Sequence, residues 1–554
     1  MPPAPVHPPQ FTERPLNPAI VVPTPVEVPP PIRKRTTPTS SSSSSAAPSY
    51  VPVASLMASS TSTTKFPPNA GKNQLTLTAC LIALSSFLWG YAVSVLNVCI
   101  VPDAVGSLLV DINLTTEEQE TATALVLVGA LLSALLSGGL GQRMGLKTVV
   151  LLNNVFFLAG GAACALAVTK RAIFLGRFSI GLACGVVTNT VPILLNEISP
   201  LGMRGRITSY HQLMLTIGIL ATGIFGWLIV EDVPSGWRYL NGFIIVPALL
   251  QLITVSWIPE SPYWLMKFKG KDQSRRTLMR LRDPHNRDAI EAELSEIALT
   301  METNAVARSA EWSDLWEYKS VLLVGSIMVF FQAMTGINTV MLYSAKIFHF
   351  AGVTNPFLAT VVVGVTNVLV TVLSVALVDS HGRRPLLLGG TLLMIGSLLV
   401  LSGSLLWLND SLHWQAVLAV SAVLLFVAGF AVGLGAVVWV VLADITPVEI
   451  RSRAFSLFMG ISYVCNILIA VYTLSAINYL GRGPNPEKDG IAKLYLILAG
   501  VAAAALLFIS YRLPETSTPA AQAARAGGVM SEEHSALLLP QDEQDEYDRN
   551  TTEL

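Results

Sequence analysis

The chain is short of charge. Only 13% of its 554 residues are Asp, Glu, Lys or Arg, and the net charge is -1. A soluble domain usually carries about a quarter. Bulk electrostatics therefore say nothing about nucleic acid, and no nucleic-acid partner is expected. Cysteine is sparse too. Cys80, Cys99, Cys164, Cys184 and Cys465 are odd in number and scattered, with no metal or disulfide spacing, and read as small packing residues. No nucleophile–base pair or metal-ligand cluster stands out, and His211 beside Gln212 reads as helix packing. An enzyme, a cofactor and a metal are therefore not expected. The first residues hold no apolar stretch of signal-peptide type, so the first long apolar segment would serve as an uncleaved signal.

What is abundant is apolar sequence: 52% hydrophobic residues and a mean hydropathy of +0.57. The expectation is an all-α polytopic protein of the lipid bilayer. Residues 1–74 stand apart. They hold more than half of the 33 prolines and the serine run Ser40 to Ser45, a composition that reads as a disordered tail. The cluster Arg33 to Arg35 reads as solvated tail charge. Apolar segments of spanning length then begin near Leu75, Thr121, Thr148, Ala172, Ile207, Tyr239, Ser320, Phe357, Leu386, Trp414, Ala454 and Ile491. Twelve spans of roughly twenty residues follow. The expected organisation is a tail at 1–74, a bundle at 75–258, a charged linker of amphipathic helices at 259–319, a second bundle at 320–511 and a tail at 512–554.

Lys and Arg crowd alternate loops: Arg143, Lys147, Arg204, Arg206, the run after Pro259, Arg383, Arg384, Arg451 and Arg453. By the positive-inside rule those loops and both termini are cytoplasmic. The sequon Asn113-Leu-Thr115 then faces outside and is the glycosylation candidate; Asn409-Asp-Ser411 is a weaker one.

A repeat divides the chain. "GQRMGLK" (141–147) follows the second span and "DSHGRR" (379–384) the eighth. "EISPLGMR" (197–204) follows the fourth and "DITPVEIR" (444–451) the tenth. "PESP" (259–262) follows the sixth and "PETS" (514–517) the twelfth. Topology alone explains the basic residues. It does not explain an acid seven residues before an Arg, with Pro between, in both halves. Two six-helix halves of parallel topology are a transporter architecture, with the site at the midplane between them.

These motifs, with "GRFSIGLACG", "HQLMLTIGIL", "PESPYWL" and "QAMTGIN", resemble the sugar porter branch of the major facilitator superfamily, over about 75–517 and in the same order. The resemblance is nearest to eukaryotic facilitative hexose transporters. It implies carriage of a hexose or related sugar or polyol by alternating access. It places the sugar site at Gln212 of the fifth span, Gln332 and Asn338 of the seventh, Asn367 of the eighth and Trp439 of the tenth. Amides match sugar hydroxyls because each offers both donors and an acceptor, and an aromatic face covers the C–H face of the ring. Interhelical hydrogen bonding explains any one such amide alone; the matched set favours the sugar.

Gln332 and Asn338 lie i, i+6, about 120° apart on an ideal helix. One ligand meets both across a wide cavity or a broken helix, and Gly336 permits the break. Tyr343 beyond it is either an outer gate or packing. The resemblance also implies charge pairs at the inner ends of helices. Glu197, Arg204, Asp444 and Arg451 would pair with Arg143, Arg383 and Arg384, with Asp379 in the same motif. These pairs would separate when the carrier opens inward.

The sequence departs from the family where Gln142 replaces an acid and Leu146 a basic residue, which implies a weaker N-terminal clamp. Ala333 replaces a second Gln. The tenth span reads "AVGLGAVVW" without the usual acid and prolines, and Ser462-Tyr463 replaces an Asn-Trp pair. The C-terminal wall is thus expected to lose hydrogen-bonding groups, which speaks against glucose itself. Proton-driven relatives place an Asp after the "GY" pair of the first span; here it is Ala92, near Arg177. No other acid is expected deep in the first six spans, so facilitated diffusion is favoured over proton symport. A non-transporting sugar sensor is the reading from another class. In the tail, Glu533 with Leu537 and Leu538 resembles a sorting signal read by clathrin adaptors. The plasma membrane is the expected residence, with an endosomal or vacuolar membrane as the alternative.

Overall fold

The computed structural model describes residues 72–513 except 201–202, 283–285, 307–313, 351–352, 382, 408–412, 436, 448–449 and 483–484. The prolines and serines before residue 72, Asn409, and the tail with Glu533, Leu537 and Leu538 lie outside the described residues.

Within them, twelve helices are long and apolar enough to cross a membrane. The first six are Lys72–Cys99, Thr116–Met144, Leu146–Ala165, Lys170–Ile198, Arg204–Phe225 with its extension Gly226–Val230, and Gly236–Phe243 continued by Ile245–Ile253. The second six are Lys319–Met334 with Ile337–Phe350, Pro356–His381, Arg383–Trp407, His413–Phe430 through Val437–Ile445, Arg451–Leu480 and Pro486–Arg512. Each begins a few residues before its apolar run, because the capping turn is polar. The second span shows why. Thr115 accepts from the Glu118 N–H while the Glu118 carboxylate accepts from the Thr115 N–H, a capping box that satisfies two orphan donors. That box draws Glu117, Glu118 and Glu120 into the helix.

An even number of spans returns the chain to the side from which it started. The ends of the bundle are called here the terminal end, where the first span begins and the twelfth finishes, and the far end. Helices within a half meet through small residues. A Cβ on Gly181 would lie 2.3 Å from Val126 O, and one on Gly390 2.5 Å from Gly429 O. The linker holds Pro262–Lys269, Lys271–Leu281 and Arg287–Val306. They share a small core of Leu278, Ile290, Leu294 and Ile297. Glu260 Oε1 accepts from Lys147 N at 3.0 Å, and Arg282 Nη1 donates to Ile198 O at 2.9 Å, so the linker is tied to the terminal end of the first half.

Cross-half hydrogen bonds gather at the far end. Asn97 Nδ2 donates to Ser344 Oγ (2.8 Å), Lys346 Nζ to Gln119 Oε1 (2.6 Å), and Asn355 Nδ2 to Glu231 Oε1 (3.0 Å). Ser475 donates through both N and Oγ to Glu120, at 2.7 and 2.5 Å. The two halves are therefore closed together at that end.

Candidate functional site

The seventh span stops at Met334 and restarts at Ile337, with Gly336 between at φ 98°. A side chain is strained at that angle, so glycine fits the break. Local hydroxyls satisfy the loosened backbone: Thr335 Oγ1 donates to Gln332 O at 3.1 Å and Thr339 Oγ1 to Gly336 O at 2.6 Å. The break frees Asn338 from the helical drift that would set it about 120° from Gln332. Asn338 Nδ2 reaches Asn466 Oδ1 of the eleventh span at 2.5 Å.

Gln332 and Asn338 are half-buried, Asn367 is buried and Gln212 is exposed. Among the described residues the side chains of Gln212, Gln332 and Asn367 make no hydrogen bond. The fifth and eighth spans pack together where a Cβ on Gly364 would touch Leu220 at 3.0 Å. At 1.5 Å per residue, Asn367 lies about 4–5 Å and Gln212 about 12 Å from that contact toward the terminal end. Trp439 is half-buried, tilted 6.3 Å from Phe455. It follows a π-helical turn, Ala431–Gly435, at the "AVGLG" stretch that stands where the family has its acid and prolines. Such turns break the helical ladder locally.

Asn466 is an amide of the eleventh span that the sequence reading did not single out. It lies one turn beyond Ser462. Tyr463, in place of the family's Trp, spends its hydroxyl on Thr188 of the opposite half at 2.8 Å. Tyr343 is fully buried and its hydroxyl donates to Ala470 O at 2.7 Å. In this state it packs on the eleventh span.

At the terminal end Arg383 lies 3.7 Å from Asp444, so this pair is made while the far end is closed, and Arg384 Nη2 donates to Ser510 O at 2.7 Å. The first half differs from expectation. Glu197 accepts from Ser261 of the linker, and Arg204 donates to Tyr263 Oη at 2.7 Å. Arg143 is exposed and is not the partner of Glu197. The "PESP" motif supplies the oxygen instead, because its Ser261 caps the first linker helix beside the carboxylate. The side chains of Asp379 and Arg451 lie outside the described residues.

Arg177 is 1% exposed. It donates to Ala92 O at 2.7 Å and to Ala122 O at 3.3 Å. Backbone carbonyls, not an acid, hold the guanidinium. Glu120, 3% exposed about one turn inside the start of the second span, is a buried carboxylate near the far end. A hydropathy reading that starts this helix at Thr121 leaves Glu120 in a loop; the capping box at Thr115 was the missed signal. His211 is bonded to Ser86 at 2.7 Å and stacked on Trp89, which is packing. Asn113 is exposed, just before the second span.

Comparison with known proteins decides the family. The family model described as "Sugar (and other) transporter" matches residues 78–521. The chain belongs to the sugar transporter family. It is 33% identical over 451 residues to the Facilitated glucose transporter protein 1 of Caenorhabditis elegans, covering 77% of this chain and 87% of that one. It is 30% identical over 442 residues to the Galactose-proton symporter of Escherichia coli K12, covering 79% and 90%. In fold it matches the inward open conformation of the xylose transporter XylE from E. coli, with a TM-score of 0.66 at 22% identity over 80% of this chain and 98% of that one. This sugar transporter homologue is thus an all-helical integral membrane carrier of the major facilitator fold, and its relatives are carriers rather than enzymes.

Proposed function

We propose that this protein carries a hexose, or a closely related sugar or polyol, across the membrane by facilitated diffusion. The 75–258 and 320–511 bundles rock about a midplane site and the 259–319 linker joins them. Gln212, Gln332, Asn338, Asn367 and Trp439 line the site, together with Asn466. The open amides of Gln212, Gln332 and Asn367 support this, since a ring of hydroxyls needs donors and acceptors from several helices. Gly336 is the point about which the far half of the seventh span moves. Tyr343 travels with it as part of the outer gate.

The observation that carries the choice of diffusion over symport is Arg177. Its guanidinium rests on the carbonyl of Ala92, the position where the family resemblance implies an acid in proton-driven carriers. Without that acid no protonation step is tied to the arginine. The Galactose-proton symporter among the relatives keeps symport as the second reading.

The basic loops support a cytoplasmic terminal end, so the far end is the outer one. Arg143, Glu197, Arg204, Asp379, Arg383, Arg384, Asp444 and Arg451 then act as the inner clamp that closes in the outward-facing state. The plasma membrane is the proposed residence, with Asn113 as a glycan site and Glu533, Leu537 and Leu538 as an adaptor-binding signal for endosomal cycling. Uptake of labelled hexoses, pentoses and inositol into liposomes bearing the purified protein tests the substrate class. Saturable flux of at least one supports the proposal; binding without flux would make the protein a sensor.

A further inference from the structure

We infer that Glu120 is a positioning residue for alternating access: docked on Ser475 of the opposite half, it holds the outer side shut and sets the share of carriers that face inward. The inference takes from the proposed function only the assignment of the far end as the outer one.

A carboxylate 3% exposed in an apolar span is costly unless it is hydrogen-bonded. Glu120 meets that demand with a single residue across the interface. One oxygen takes the Ser475 N–H at 2.7 Å and the other the Ser475 hydroxyl at 2.5 Å. Ser475 lies inside the eleventh span, Arg451–Leu480. A mid-helix N–H is ordinarily committed to the carbonyl four residues back. Here the Ser475 N–H also meets an anion from the other half. Two charge-assisted bonds to one residue fix both distance and orientation.

The neighbouring residue repeats the grip on another helix. Gln119 Oε1 accepts from Lys346 Nζ of the seventh span at 2.6 Å, and Gln119 Nε2 is anchored on Leu114 O at 2.9 Å. Lys346 is 7% exposed and lies within the field of Glu120. Adjacent residues of the second span thus clasp the two helices of the second half that face it. Asn97 adds a neutral link, with its amide on Ser344 Oγ and Ala345 N. Glu120 differs from that link in kind. A neutral amide is easily satisfied on either side of the transition. The two bonds to Ser475 exist only while the halves meet at the far end, so they bias the equilibrium toward the state that is shut there.

The test is the distance between the halves at the outer end, measured without sugar. Spin labels at Val110→Cys and Tyr479→Cys, both exposed positions of opposite halves, report it by pulsed electron paramagnetic resonance in lipid nanodiscs. The labelled parent should show mainly the short distance. Glu120→Gln keeps the shape and loses the charge. It should raise the ratio of long to short distance by about tenfold, the scale of one charged hydrogen bond. Ser475→Ala, which keeps the N–H, should raise it less. Glu117→Gln, an exposed neighbour, should leave it unchanged. In sided flux assays Glu120→Gln should lower KM for influx and raise KM for efflux, whereas a merely structural loss would move both the same way. A Glu120→Gln distance distribution identical to the parent, in protein that elutes and melts like the parent, overturns the inference. That outcome does not depend on whether the carrier accepts sugar.

Discussion

Asn338, just past the break in the seventh span, gives its amide N–H to the Asn466 carbonyl oxygen at 2.5 Å. The pair joins the second part of the seventh span to the eleventh, and in the proposed site the Asn338 oxygen and the Asn466 nitrogen would face the sugar. Asn466→Ala should therefore remove one wall contact and misplace Asn338. Uptake KM should rise about tenfold, the effect of one hydrogen bond lost from each of two linked groups, with little change in melting temperature. An unchanged KM would remove Asn466 from the site.

Gln332 is half-buried, and its side chain makes no hydrogen bond among the described residues. Gln332→Ala should weaken sugar binding by about tenfold or more and leave stability close to that of the parent. Equilibrium binding with a labelled sugar reads the first, and thermal unfolding in detergent the second. A large drop in melting temperature with binding retained would make Gln332 a packing residue.

Gly336 combines a positive φ of 98° with a close neighbour, since a Cβ there would lie 2.6 Å from Leu498 Cδ1. Gly336→Ala should cost about 1–3 kcal/mol and slow turnover. Adding Leu498→Ala relieves the contact but not the backbone strain, so the double variant should recover only part of the melting temperature. Full recovery would show that the contact alone demands glycine.

The loop at the far end has its own pH signature. Asp111 accepts from Ser235 Oγ at 2.6 Å and Trp237 Nε1 at 2.8 Å, and Arg238 lies 4.0 Å away. The hydroxyl bond first, then the indole, and then the nearby guanidinium hold its carboxyl below the usual range, against burial. In the unfolded chain the value is about 3.9. The stabilisation is thus complete well above that value and fades as pH falls through the lower folded one. Asp111→Asn should be less stable than the parent at neutral pH, and the gap should close in acid. Melting curves across the acid range check it; a gap that widens in acid would contradict the assignment.

The spans and halves were legible because each is a run of apolar residues punctuated by repeated loop motifs. The break at Gly336 was legible as one of two options, since two amides about 120° apart meet one ligand only across a wide cavity or a broken helix. Asn466 was not. A single Asn on an apolar helix carries no mark of the direction it faces until its neighbours are placed. Glu120 was hidden for another reason: the charged first turn of the second span lowers hydropathy where the helix already exists. The partner of Glu197 was hidden because it belongs to the linker, whose docking depends on Glu260 and Arg282 meeting backbone groups at the ends of the third and fourth spans. Contacts of that kind follow from tertiary placement, not from local pattern.

Diffusion without proton coupling follows from Arg177 resting on the carbonyls of Ala92 and Ala122. Liposomes bearing the protein, loaded at neutral pH and diluted into acidic medium with labelled sugar, measure it directly. The account predicts that internal sugar rises to the external concentration and stops there, with or without the gradient. Accumulation above the external concentration, abolished by a protonophore, would contradict it.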